Sequence, residues 1–306
     1  MIKIGGLLLP DELLAGHTSF RIGGPADLYA APATFEDAVH VIESCRREGI
    51  PCFFLGGGTN LLVADRGIRG VVLDTSRLCG SRVEHELLVT EAGAPISAVA
   101  DEALRLGLTG LEFAASLPGS VGGAVWMNAR CYEHEMADVL AFVDARDATG
   151  TVLRQDIDKQ QWSYKHSPFQ ESRVLIVRAG FRLAAGDRVA SEALMRDHRA
   201  DRERKGHFLY PCAGSVFKNN RSFGAPTGKL IDSLGLKGTK IGGAQIASFH
   251  GNIIVNTGGA TARDVRALIE LVEAEVRVRL GFVLEREVIL AGDWEGKDAQ
   301  KVSEHG

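Results

Sequence analysis

No stretch of this 306-residue chain approaches the ~18–20 apolar residues of a membrane helix. The opening run, MIKIGGLLLPDE, is too short in apolar residues for a signal peptide. The five cysteines are odd in number and have no CxxC spacing, which excludes a regular disulfide framework and fits free thiols in a reducing cytoplasm. No HExxH or cysteine–histidine cluster calls for a metal. Positive charge is not in excess: 35 basic against 39 acidic residues leave −4, so there is no basic footprint for nucleic acid. A phosphate-bearing ligand must therefore find local donors. Proline is scarce, at nine residues, and there is no low-complexity period or internal repeat.

What the chain has is glycine. There are 36, which is about 12% of residues against a background of about 7%. With no fibrous period to absorb them, they belong to specific loops. At 45% hydrophobic and 24% charged residues, a sizeable core is available, and the length suits two domains or three smaller lobes.

Periodicity gives an α+β reading. Strands are expected at 27–31, 52–55, 71–73 and 87–91, then at 140–148 and 151–155 joined by a Thr149-Gly150 turn, and at 174–183. Helices are expected at 34–48, with Thr34 as cap and Ala38, Val39, Ile42 and Cys45 inward, and at 95–106, with Ile96, Val99, Ala100, Ala103 and Leu104 inward. A charged helix over 188–205, rich in Arg196, Arg199, Arg202 and Arg204, reads as a solvated connector. Beyond it come a short helix at 227–234, a strand at 252–256 and a long helix at 261–280 striped by Val265, Leu268, Ile269, Val272 and Val276. A strand at 282–290 is expected to close this unit, before a polar tail at 293–306. The resulting division is 1–184 in two lobes parted near 76–86, a connecting helix at 185–205, and a smaller unit at 206–292.

Two glycine clusters carry a chemical suggestion. Gly56, Gly57 and Gly58 follow an apolar strand and precede Thr59 and Asn60. Glycine lets backbone N–H groups turn toward a ligand, and successive N–H groups make an anion-binding nest. The loop is neither a Walker A nor a GxGxxG loop, and by itself it reads equally as a tight turn. Pro118-Gly119-Ser120-Val121-Gly122-Gly123 is a second close-approach segment, whose helix N-terminus offers N–H groups to phosphate. Close helix–sheet packing is the alternative there. Two such loops about 60 residues apart suit one long ligand with a central pyrophosphate, such as a dinucleotide or flavin.

The motifs LGGGTNLLVAD (55–65) and LPGSVGGAVWMN (117–128) resemble the FAD-binding segments of the UDP-N-acetylenolpyruvoylglucosamine reductase family. The resemblance extends through HTSFRIGGPA (17–26), AGSVFKN (213–219), GGAQ (242–245), NIIVNTG (252–258) and LEREV (284–288). It covers about residues 16–292 in order and is closer to the shorter form of the family, which lacks an extra substrate-covering loop. It implies a two-lobed FAD domain of the vanillyl-alcohol-oxidase type followed by a smaller α+β substrate domain. It further implies reduction of the enolpyruvyl ether of a UDP-sugar by NADPH through FAD, giving UDP-N-acetylmuramate for peptidoglycan.

Residue by residue, the resemblance assigns FAD to Leu55, Gly56, Gly57, Gly58, Thr59, Asn60, Leu61, Ser116, Pro118, Gly119, Ser120, Gly122, Gly123, Asn128 and Ile176. It makes Ser215 the proton donor to a carbanion and Glu287 the acid beside the enolate, there protonated or hydrogen-bonded. Glu285 is expected on the same strand face as Glu287. The chain departs from the family at Lys165, where arginine is usual after Tyr164, and at Arg130-Cys131 in NARCY (128–132). Lys165 keeps the charge but loses the planar fork, so either Lys165 or Arg130 supplies the catalytic cation. Tyr164, Lys218, Asn219 and Asn252 are the other expected substrate contacts, with Cys131 an ordinary free thiol. Expected partners are the UDP-sugar and NADPH, with no nucleic acid or membrane, in a monomer or weak oligomer. Two other readings stay open: a flavin-dependent sugar or alcohol oxidase of the same FAD fold, and a non-catalytic flavin or nucleotide-sugar binder.

Overall fold

Thr34 starts the first helix by accepting the Asp37 N–H, Phe35–Glu48 follows, and Gly49 ends it with φ 66°. Its buried face is Ala38, Val41, Ile42, Ser44 and Cys45. Val39 is only partly buried, because at about 100° per residue Val41, not Val39, falls on the stripe that Ala38, Ile42 and Cys45 define. The second helix, Ile96–Arg105, buries Ile96, Val99, Ala100 and Ala103, with Leu104 at its margin. This computed structural model describes residues 4–147, 151–172 and 174–294. The Thr149-Gly150 turn and the tail from 295 onward lie outside the described residues.

The three largest sheets position the site. The first runs in the order Gly6–Leu13, Pro25–Pro32, Ile68–Asp74, Cys52–Leu55. Its last three strands are parallel. Loops leaving the carboxyl ends of parallel strands are the usual place for a ligand, and the loop after Leu55 is Gly56–Asn60. The second sheet, entirely antiparallel, runs Val152–Asp156, Leu140–Arg146, Leu175–Arg182, Leu87–Glu91, Ser81–Glu84. The first sheet ends in sequence at Asp74 and the second begins at Ser81. The helix Arg188–Arg204 follows, with Met195 buried in the same core as the second sheet.

The third sheet has short strands, Lys240–Ile241, Ala244–Ile246 and Ile254–Asn256. It packs on the helix Ala262–Leu280, whose five stripe residues are all buried. Thr261 and Asp264 close a reciprocal capping box at the start of that helix.

The expected strand at 282–290 is corrected. Only Ile289–Ala291 is a strand, and it pairs in parallel with Leu61–Val63 instead of completing the C-terminal sheet. The residues before it bond to the 216–218 segment: Lys218 N–H donates to Glu285 O, and Glu287 N–H donates to Val216 O. Asp65 fastens the same junction, its carboxylate accepting the N–H groups of Ala262 and Arg263 at the helix N-terminus. The polar tail also starts later than expected, since Asp293 pairs with Arg66 and Trp294 is buried in the C-terminal core.

Candidate active site

The glycine loops face each other. A Cβ on Gly57 would lie 2.6 Å from Gly119 Cα, and one on Gly56 2.5 Å from Ser120 Oγ. Both are closer than real Cβ atoms come, so the two loops meet only because side chains are missing. Ser120 Oγ then accepts the N–H groups of Gly57 and Gly123, each at 3.3 Å. Gly122 packs on Ala92, so close packing explains that glycine.

The helix N-terminus expected to offer N–H groups is corrected. In Val121–Trp126, Val121 N–H donates to Ala94 O and Gly122 N–H to Ala92 O. The open donors lie in the loops: among the described residues, none accepts from the N–H groups of Gly56, Gly58, Thr59, Asn60 or Gly119. Gly58 has φ 61°, and a Cβ there would overlap the His17 carbonyl oxygen. Left-handed backbone costs a non-glycine residue about 1–2 kcal/mol before any clash. Gly58→Ala is therefore expected to lower stability by about 2 kcal/mol or more and weaken flavin binding about tenfold. Thermal melting and flavin-fluorescence titration check this, and unchanged flavin affinity would show that the loop does not hold the ligand.

Both loops line a cavity of about 1590 Å³. That exceeds the roughly 300–1,000 Å³ of an ordinary single-ligand pocket, so a dinucleotide and a second ligand fit together. Leu55, Leu61, Pro118 and Ile176 line it too. Ser116 is buried just before the second loop, and its hydroxyl lacks a partner within the protein. An orphaned hydroxyl and a row of open N–H groups suit the polar middle of an FAD.

The candidate catalytic residues meet on the same cavity. Ser163 and His166 exchange two backbone hydrogen bonds, making a tight turn tipped by Tyr164 and Lys165. Lys165 holds φ 59°, an uncommon conformation for a non-glycine residue. Its Nζ lies 2.6 Å from Glu287 Oε1, with the two side chains 15% and 10% exposed. Lys165, Glu287, Ser215 and Arg130 all line the cavity. Gly214, beside Ser215, has φ 71° and nothing within 4 Å of a Cβ position, so the backbone there opens onto free space. Glu285 is not on Glu287's face. It is 71% exposed and 2.7 Å from Lys218 Nζ, because irregular backbone replaces the expected strand. Arg130 sits 3.9 Å from Glu135 and 5.9 Å over the Tyr164 ring.

Three asparagines expected at ligands also hydrogen-bond to backbone. Asn60 Nδ2 donates to Glu287 O at 2.9 Å. Asn128, fully buried, accepts from Ala137 N–H and donates to Ser163 O at 2.9 Å, under the Lys165 turn. Asn252 accepts from Phe217 N–H and donates to Phe217 O, locking the segment that carries Ser215. Asn128 and Asn252 each keep one N–H and one lone pair, but both side chains are buried and neither lines the cavity. Tyr164, Lys218 and Asn219 line a separate cavity of about 210 Å³ next to the first site residues.

Residues that the sequence reading passed over also reach the main cavity. Ser19 donates to Cys212 O at 2.7 Å while its N–H donates to Gly58 O, tying the first glycine loop to the segment before Ser215. His207 lies on the wall, where burial and then Arg202 hold its pKa down to about 4, so it is neutral at physiological pH. Burial pushes the Cys212 thiol up, which keeps it protonated. Cys131 is a half-buried free thiol. Ser19 falls inside the HTSFRIGGPA motif, but a loop serine has no periodic signal that would assign it this role.

Residues 26–156 match the family described as FAD binding domain, and residues 206–291 match the C-terminal domain of UDP-N-acetylenolpyruvoylglucosamine reductase. With the fold above, this defines a flavoprotein with an FAD-binding domain and a second, C-terminal domain. A UDP-N-acetylenolpyruvoylglucosamine reductase from Heliobacterium modesticaldum is 42% identical over 293 residues, covering 95% of this chain and 93% of its own. One from Caldanaerobacter subterraneus is 41% identical over 293 residues, covering 96% of each. The crystal structure of the Thermus caldophilus enzyme of that name superposes with a TM-score of 0.78 at 32% identity, over 94% of this chain and 99% of that one. The chain belongs to the UDP-N-acetylenolpyruvoylglucosamine reductase family.

Proposed function

We propose that this protein reduces the enolpyruvyl ether of UDP-N-acetylglucosamine enolpyruvate to UDP-N-acetylmuramate, with FAD as bound cofactor and NADPH as reductant, in peptidoglycan precursor synthesis. The observation that carries this reading is the meeting of Ser215, Glu287 and Lys165 on one cavity with both glycine loops. Bound FAD supplies the reducing equivalents that NADPH delivers. The open N–H groups of the 56–60 loop, Gly119 N–H and Ser116 Oγ hold its polar middle.

This chain's own residues then manage charge and protons. Negative charge develops on the enolpyruvyl carboxylate as the double bond is reduced. Lys165 has three donors, one spent on Glu287, and the other two meet that carboxylate. The pairing makes Lys165 and Glu287 neutral together, so Glu287 does not repel the developing enolate. Of the two forms expected for Glu287, protonated or hydrogen-bonded, the proposal takes the hydrogen-bonded one, with Lys165 Nζ as its partner. Ser215 delivers the proton to carbon. A serine hydroxyl is a weak acid, and the cations on the same cavity strengthen it.

The finer points belong to the same proposal. The division is an FAD domain at 1–184, a connector at 185–205 and a substrate domain at 206–292. NADPH is the reductant, the location is cytoplasmic, and the protein works as a monomer or weak oligomer. No helix among the described residues is long and apolar enough to cross a membrane.

The test is NADPH oxidation by the flavin-loaded protein with and without the enolpyruvyl UDP-sugar. Oxidation that needs that sugar is expected. Peroxide formation from a sugar or alcohol without NADPH would favour the oxidase, and protein that takes up no FAD would sink both enzymatic readings.

A further inference from the structure

Two cysteines, Cys45 and Cys52, stand seven positions apart in sequence and meet in space. Cys45 lies in the last turn of the first helix. Cys52 is the first residue of the strand Cys52–Leu55, which leads into the first glycine loop. A fixed reversal joins them. Gly49 holds φ 66°, and the Ile50 N–H donates to Cys45 O at 2.8 Å, a helix ending that turns the chain back on itself. Pairing of Cys52 with Val71 anchors the other side. Both side chains belong to one apolar cluster, with Cys45 1% exposed and Cys52 partly exposed, and both line the main cavity. Their thiols are hydrogen-bond partners.

That contact divides the labour between the sulfurs. The Cys52 S–H, bonded to the Cys45 sulfur, holds the Cys45 pKa below the usual thiol value. The same bond, and then burial, raise Cys52. Cys45 is the readier thiolate, and Cys52 waits beside it with its proton. A nucleophilic sulfur with a second thiol in reach is what reversible cysteine oxidation requires. Cys45 is closed to bulky reagents, but hydrogen peroxide is scarcely larger than water and reaches the wall through the cavity.

We propose that Cys45 and Cys52 form a reversible oxidation site on the cavity wall, which hydrogen peroxide converts to a disulfide and thiol reductants restore. The Cys45 thiolate attacks one oxygen of the peroxide, and the O–O bond breaks. The departing hydroxide takes up the proton that Cys45 had released and leaves as water. Cys45 is then a sulfenic acid. The Cys52 sulfur displaces its hydroxyl, the S–S bond forms, and the hydroxyl leaves as water with the Cys52 proton. Two thiols and one peroxide thus give one disulfide and two waters, and the sulfurs lose the two electrons that the peroxide oxygens gain. Transient disulfides are the kind a reducing compartment allows. Without a resolving partner, a sulfenic acid goes on to the irreversible sulfinic acid. The pair thereby spares the strand beneath the flavin loop a permanent charge in its apolar cluster. This site needs neither sugar nor NADPH, so it stands apart from the catalytic reading.

Peroxide treatment of the full chain, followed by alkylation and peptide mass mapping, tests the inference, with exposed Cys79 as internal control. The expected product joins the Cys45 and Cys52 peptides, is two hydrogens lighter than their sum, and is reopened by dithiothreitol. Cys52→Ala removes the resolving thiol at the more exposed position. Its Cys45 is expected to gain two oxygens and to resist dithiothreitol. If the variant does not fold, the wild-type map decides alone. Cys45 and Cys52 left as free thiols by peroxide that fully oxidises Cys79 would overturn the inference. So would sulfinic acid at Cys45 of the wild-type protein with no linked peptide, or full recovery of Cys45 by dithiothreitol in Cys52→Ala. Whether the protein is yellow bears on the functional reading and leaves this result untouched.

Discussion

Ser215→Ala is expected to bind FAD stoichiometrically and accept reducing equivalents from NADPH at the parent rate, then stall. Reoxidation by the enolpyruvyl UDP-sugar should fall by about 10²–10⁴, the usual worth of a positioned general acid. The selectivity follows from where Ser215 sits. Its neighbours are locked by backbone and by Asn252, not by its own hydroxyl, so removing that oxygen leaves the loop in place. The first half of the cycle needs no proton on substrate carbon. Stopped-flow absorbance of the flavin reads the halves separately. A mutant slowed equally in both would refute the assignment of Ser215 as proton donor.

Lys165→Ala has the second largest expected effect, and it touches both stability and rate. The substitution strands Glu287 at 10% exposure beside a developing anion. Breaking a buried pair typically costs about 3–5 kcal/mol. This pair keeps some solvent, so about 2–3 kcal/mol is expected. Turnover should fall by about 10²–10³, the range for losing one preorganised donor. The double change Lys165→Ala with Glu287→Ala should be less damaging to stability than Lys165→Ala alone, because no charge is left unpaired. Lys165→Arg should retain most activity. Melting curves and steady-state rates check these three variants against the parent, and turnover within twofold of the parent for Lys165→Ala would remove it from the mechanism.

Much of the fold was legible because its signals are local. Thr34 and Thr261 announce helix starts, since a hydroxyl three residues before an acidic side chain has a direct geometric use. The 262–280 helix shows its buried stripe in full. The edge strand Gly6–Leu13 was not legible. It contains Pro10 and a left-handed Asp11, features that argue against a strand anywhere but at an edge. The pairing of Ile289–Ala291 with Leu61–Val63 was hidden for another reason: three residues carry too little pattern to name a partner more than 200 positions away.

The site divides the same way. Glycine loops are visible because only glycine tolerates the close approach of Gly57 to Gly119. The asparagines were readable as polar but not as occupied. Asn60, Asn128 and Asn252 each present a donor and an acceptor, and sequence cannot tell whether ligand or backbone uses them. Arg202, whose Nε is buried at the cavity wall, was read as solvated because its helix is charged throughout, and periodicity does not record which single side chain turns inward.

The parallel pairing of Ile289–Ala291 with Leu61–Val63, with Asn60 reaching across 227 positions to Glu287, has a kinetic corollary. Contacts so distant in sequence impose the largest chain-closure cost and come late in folding. A ribosome-bound chain can build the 68–74 and 140–182 strands early, yet it lacks its last lining strand until residues 289–291 have been made and released from the exit tunnel. Flavin capture is thereby expected to wait for that segment, and deletion of residues 289–294 should yield chains that collapse but never turn yellow.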